Sequence, residues 1–127
     1  MRAQYHLRSS EQGLLAWDVR RLIERTSRLV PFDLSLDEVR ELDESFWFEN
    51  EGDLPTCRKI AEHARLIAET DLGNPIILDP EGRVMDGMHR VCKALMEGRS
   101  SVRAVQLQEL PEPDFIGTAA EDLPYEE

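Results

Sequence analysis

Five consecutive residues, Asp86-Gly87-Met88-His89-Arg90, bring a carboxylate, a glycine, an imidazole and a guanidinium together. If a helix opens at Met88, its first-turn N–H groups have no intrahelical acceptor and carry partial positive charge. A phosphate placed against Gly87, Met88 and His89 is then bound by backbone geometry. Gly87 lets the backbone approach a ligand closely. His89 and Arg90 add side-chain donors, and a guanidinium grips phosphate bidentately. Asp86 supplies a carboxylate that can hold a hard cation such as Mg²⁺ or take a proton. On residue types alone, the same string is equally a strand-to-helix turn carrying exposed charges.

A second stretch with chemical content is Ser45 to Asp53, where Phe46, Trp47 and Phe48 precede Glu49, Asn50 and Glu51. As a loop it presents Glu49 or Glu51 to a pocket walled by Trp47. As plain structure it points Phe46 and Phe48 inward and leaves its acids in water. Arg58, Glu62 and Arg65 share one polar face of a predicted helix, which by itself reads as i, i+4 surface pairing through Glu62. His6 and His63 read as structural histidines. Cys57 and Cys92 have no metal or disulfide spacing and read as buried small hydrophobes.

These groups need elements to hold them. Ile76-Ile77-Leu78 is a short buried strand, and Asp79-Pro80-Glu81-Gly82 is a turn by its residue chemistry. Arg83-Val84-Met85 returns as the partner strand. Met88, Val91, Cys92 and Leu95 give the i, i+3, i+4, i+7 face of a helix that Gly98 ends. Val102 to Leu107 alternates as a further strand, and Phe32, Leu34 and Leu36 mark an earlier one. Between them a helix near 55–70 shows an apolar face of Cys57, Ile60, Ala61, Ala64, Ile67 and Ala68. Ser9 and Gln12 offer a capping box, and Leu15, Val19, Leu22 and Ile23 then predict a helix over about 10–30, stopped by Pro31. After Leu107 the chain is acidic and proline-rich, and wraps the domain or is partly disordered. The expectation is one domain over 1–127: an N-terminal helix, a core over about 31–107, and a tail over about 108–127. The class is α/β, a small mixed sheet flanked by helices.

The string and the elements around it resemble the ParB/sulfiredoxin superfamily, over roughly residues 31 to 107. Asp86-Gly87-Met88-His89-Arg90 is most similar to the Asp-Gly-His-His-Arg string of ADP-dependent free serine kinases, and it also resembles the Gly-Gly-Cys-His-Arg string of sulfiredoxins. The resemblance implies that the turn holds nucleotide phosphates, with a nucleoside di- or triphosphate and Mg²⁺ as ligand and Asp86 on the metal. It implies a small-molecule phosphotransferase in which Glu49 or Glu51 faces the acceptor, and it makes Arg58 and Arg65 further phosphate ligands. Met88 stands where sulfiredoxins carry their nucleophilic cysteine, so sulfiredoxin activity is not expected. The alternatives are a catalytically silent protein-interaction module, or a ParB-like protein linked to DNA partitioning.

Composition narrows the classes. The chain has 127 residues, 41% of them hydrophobic, and a net charge of -11. Such a charge opposes sequence-independent grip on nucleic acid. Residues 1–30 run against the trend, with six Arg against Glu11, Asp18 and Glu24. That basic N-terminal helix is expected to pair with protein: the acidic body of its own fold, a second subunit or another partner. No membrane-spanning segment or signal peptide is apparent, so a cytoplasmic location is expected.

Overall fold

The computed structural model describes residues 3–48 and 53–125. It is mixed α/β, with three α-helices and two small sheets. Strands β1 (Tyr5–Ser10) and β2 (Gly13–Asp18) form a hairpin, followed by helix α1 (Val19–Thr26) and strand β3 (Phe32–Ser35). Two 3-10 turns, Leu36–Glu38 and Arg40–Asp43, lead toward helix α2 (Cys57–Glu69). Strands β4 (Ile76–Leu78) and β5 (Val84–Asp86), helix α3 (Met88–Met96) and strand β6 (Ser101–Gln106) complete the core. Strand β7 (Phe115–Ile116) lies in the tail.

The main sheet has the order β3-β6-β4-β5, with β4 and β6 parallel and the outer pairs antiparallel. Its four strands match the four segments predicted from alternation and turn chemistry. Alternate residues face opposite sides. Ile76, Leu78, Val84, Val102 and Ala104 join a core under α3 with Met88, Val91 and Ala94. Ile77, Met85, Val105 and Leu107 join a second core with Trp17 and Leu22. The sheet is thus covered on both faces.

The predicted helix over 10–30 is instead the β1-β2 hairpin and the short α1. Ser10 Oγ donates to the carbonyl of Gly13 at 2.7 Å and accepts the N–H of Gln12 at 3.1 Å, so the serine chemistry closes a turn rather than capping a helix. Gly13 has φ +97°, which a side chain rarely tolerates. The tail wraps the domain: β7 adds to β2, giving the order β1-β2-β7. Trp17 Nε1 donates to Pro111 O at 2.7 Å, and Asp114 accepts the Asp18 N–H at 2.8 Å and pairs with Arg21 at 2.7 Å. With Arg20 on Asp18 and Arg8 on Asp79, three of the N-terminal arginines are used inside the fold.

Helix α2 departs from expectation in another way. No residue of it is buried. Lys59, His63, Ile67 and Thr70 turn toward the body, while Cys57, Ala61, Ala64 and Ala68 are exposed. Cys57 is therefore on the surface, whereas Cys92 is half-buried against the α3 core, where burial pushes its thiol up. No described helix is long and apolar enough to cross a membrane.

Candidate functional site

The β4-β5 hairpin aims the chain into α3. Asp79 sets the turn, its Oδ1 accepting the N–H groups of Glu81 at 2.8 Å and Arg83 at 2.9 Å. Burial raises the Asp79 carboxyl, but those N–H groups and the Arg8 guanidinium outweigh it and hold it below the usual range. Gly87 then takes φ +107° as the N-cap of α3. A Cβ there would lie 2.7 Å from Ile76 Cγ2 and 2.9 Å from Arg90 Nη2, so packing within the fold itself requires the glycine. At the far end, Arg99 N donates to Ala94 O at 2.9 Å and Gly98 N to Leu95 O at 3.0 Å, closing the helix with a Schellman motif.

Asp18 caps α1 and Thr56 caps α2, but no side chain caps α3. None of the hydrogen bonds among the described residues takes up the N–H of Met88 or His89. Gly87, Met88 and His89 line a cleft of about 750 Å³. Phe46, Trp47 and Asp53 contribute to the same cleft, so the described flanks of the 45–53 loop do border the turn. Glu49, Asn50 and Glu51 lie outside the described residues.

Arg90 is committed internally: its Nη2 lies 2.9 Å from Asp86 Oδ2 and 3.3 Å from Pro75 O. Its Nε is buried without a partner. Arg90 lines a smaller adjoining cleft of about 270 Å³, together with Gln4, Leu66, Glu69 and Thr70. Asp86 and His89 border both clefts. Arg58 and Arg65 line neither; both are exposed on α2.

His89 has a neighbour that sequence reasoning took as merely structural. His63 Nδ1 lies 2.8 Å from His89 Nε2, so one ring donates and the other accepts. Trp47 stacks on both, with centroids 4.2 Å from His63 and 4.5 Å from His89. Burial, the adjacent His63 and the Arg90 charge push His89 down to about 4 against the pull of Asp86; burial lowers His63 as well, against Glu62. Both rings are therefore neutral at pH 7. The signal for His63 was the spacing Lys59, His63, Ile67, which marks the inner face of α2 only once its outward alanines are known.

The other wall is polar and paired. Arg8 Nε donates to His6 Nε2 at 2.9 Å and Arg8 Nη2 to Asp79 at 2.9 Å. Burial, and then the Arg8 charge, push His6 down to about 4 despite Asp79. Arg83 reaches Glu44 at 2.5 Å and buried Glu41 at 3.4 Å, and Glu41 Oε2 also accepts the Val84 N–H at 2.7 Å. Glu41 Oε1 is buried without a partner. Apart from the Arg8–His6 bond, which joins residues two apart on β1, these contacts join residues far apart in the chain and have no local sequence signal. The cleft's cations are thus already taken by its acids. Among the described residues, no three His, Cys, Asp or Glu side chains are grouped to hold a metal.

No protein family, curated protein or solved structure matches this chain.

Proposed function

We propose that the cleft at the N-terminus of α3 binds a nucleotide or another phosphorylated small molecule, on a ParB/sulfiredoxin-like domain. The observation that carries this reading is the uncapped first turn: the N–H groups of Met88 and His89 have no acceptor where the chain lines an open cleft. Phosphate oxygens would supply the missing acceptors. Arg90 acts on this reading as a clamp that fixes Asp86 and the turn, and only secondarily as a phosphate ligand.

The paired arginines decide the form of the ligand. Arg8 and Arg83 are neutralised, and so are Asp53 by Lys59 and Asp86 by Arg90, which leaves no free cation on the walls and the Glu81 carboxylate as an added negative charge. A bare phosphate meets repulsion there, so it enters as its Mg²⁺ complex. Mg²⁺ commonly keeps its waters and takes one carboxylate plus ligand phosphates. Asp86 fits that role through Oδ1, since Oδ2 is held by Arg90. A phosphotransferase would add an acid facing the acceptor, the role assigned above to Glu49 or Glu51.

The test is an amide-resonance titration with ADP, ATP and inorganic phosphate, with and without Mg²⁺. The Met88 and His89 amides should shift with a nucleotide only when Mg²⁺ is present, and Asp86→Asn should weaken that requirement. Shifts confined to other residues, or none with any of the three, overturn the reading. The outward apolar face of α2 favours the second reading, a protein-interaction module, in which the cleft is silent.

A further inference from the structure

The larger cleft lies where the two sheets end. It is lined by β1, an outer strand of the small sheet, and by β5, an outer strand of the main sheet. Consecutive side chains of a strand point to opposite faces. All residues from Gln4 to Ser9 and all from Arg83 to His89 nonetheless line the cleft, so each strand borders it by its hydrogen-bonding edge rather than by one face.

The two edges are finished differently. On β5, buried Glu41 accepts the Val84 N–H through Oε2 at 2.7 Å, and a carboxylate thereby closes that edge. On β1 nothing does. Val19 N donates to Gln4 O at 2.9 Å, and the register runs without a shift from Tyr5 opposite Asp18 to Ser10 opposite Gly13. The backbone groups of His6, Arg8 and Ser10 therefore turn to β2, and those of Tyr5, Leu7 and Ser9 turn away from it. No hydrogen bond among the described residues takes up the N–H or C=O of those three. The edge carries neither a proline nor a bulge to blunt it.

We propose that this edge takes up an extended, basic segment of another polypeptide, which adds to the small sheet as a further strand beside β1. A row of alternating free donors and acceptors is matched by a peptide backbone. The recess decides against a second folded copy, since two copies cannot each insert a recessed β1 into the other's cleft. Charge sets the sequence of the segment. Arg8 bonds Asp79 at 2.9 Å, so the face of β1 that carries His6 and Arg8 looks toward the β4-β5 turn. Glu81 on that turn has no cation among the described residues, and Glu41 and Glu44 share the guanidinium of Arg83. Lysines at alternate positions of the added strand fall on this face. The intervening side chains lie beside Leu7, 38% exposed, and suit β-branched residues. Strand addition here requires no phosphate at the first turn of α3.

The probe is an acetylated, amidated hexapeptide alternating valine and lysine, titrated into the isotope-labelled whole chain without nucleotide. The amides of Tyr5, Leu7 and Ser9 should shift, with a Kd below about 1 mM. Their exchange should slow about tenfold once about nine-tenths of the chain is occupied. A peptide alternating valine and glutamate should bind about tenfold more weakly, and Glu81→Lys should weaken the lysine peptide roughly two- to fivefold while strengthening the glutamate one. Two further lysine peptides carry backbone N-methyl groups, one on every valine and the other on every lysine. One edge of the added strand faces β1, so one of these two should fail to bind and the other should retain binding. No shift at Tyr5, Leu7 and Ser9 up to about 1 mM, equal binding of the glutamate peptide, or equal binding of both methylated peptides overturns the proposal. So does a concentration-dependent dimer that protects those three amides without peptide, which makes a second copy the occupant. The nucleotide titration reads Met88 and His89 and this one reads Tyr5, Leu7 and Ser9, so either proposal can fail alone.

Discussion

Helices α3 and α2 carry comparable apolar periodicity in the sequence, and the fold treats them oppositely. Helix α3 buries Met88, Val91 and Ala94, starts on a left-handed glycine and ends on a Schellman motif. Helix α2 buries nothing and touches the body through His63, Ile67 and the Lys93 ammonium. Periodicity shows that a helix has an adhesive face. It does not show what adheres to it. For α3 the answer is the sheet formed by its own flanking strands; for α2, the alanine face is left exposed among the described residues.

The largest effects are expected where α3 begins. Gly87→Ala combines a strained backbone with a methyl group driven toward Ile76, and should cost about 3 kcal/mol in urea unfolding. Val91→Ala, at a fully buried site, should cost about 2 kcal/mol. A loss below about 0.5 kcal/mol for either would break the contrast with α2.

Arg90→Ala removes the partner of Asp86 and leaves that carboxylate half-buried. A loss of about 1–3 kcal/mol is expected. The experiment also separates clamp from ligand: a clamp loses stability with or without nucleotide, whereas a pure phosphate ligand loses only affinity.

Acid weakens the join between the helices. Because burial depresses His89 and His63 in the fold, proton uptake favours the unfolded chain. The contribution of the pair is fully present above the unfolded value near 6.5. It is lost as pH falls from there through about 4, the native value of His89. His6 titrates in the same window beside Arg8 and Asp79. The informative quantity is therefore the difference between wild type and His89→Gln. Unfolding free energies at pH 7 and pH 5 should fall less for His89→Gln; equal slopes would remove the histidine pair as a determinant.

The main sheet was legible because its signals are local: Ile76 to Leu78 is an unbroken apolar run, Asp79 to Gly82 has turn chemistry, and Val102 to Leu107 alternates. The N-terminal hairpin was not. Leu15, Val19, Leu22 and Ile23 satisfy a helical period, while the features that decide the outcome are the Ser10–Gly13 turn and a strand that pairs from Phe115 and Ile116. The turn at Gly87 was legible as a turn, but its glycine answers to Ile76, a contact that only the folded sheet creates. His63 and Arg8 acquire their roles through partners in other elements, so no window of sequence displays them.

The smallest expected effect bears most directly on how α2 is held. Lys93 Nζ donates to Ala68 O at 3.0 Å and Thr70 O at 2.7 Å, placing a cation at the C-terminal end of α2, where the helix dipole favours it. Lys93→Met keeps most of the stem and removes the charge and both donors. The site is partly solvated, so the loss should be about 0.5–1 kcal/mol. Because α2 buries no residue, that loss should appear as local opening rather than global unfolding. Amide exchange should speed up in the last turn of α2, at Leu66 to Glu69, and stay unchanged at Val91 and Ala94. If α3 loses protection equally, the two helices unfold as one unit, and the contrast between a built-in helix and one resting on the surface fails.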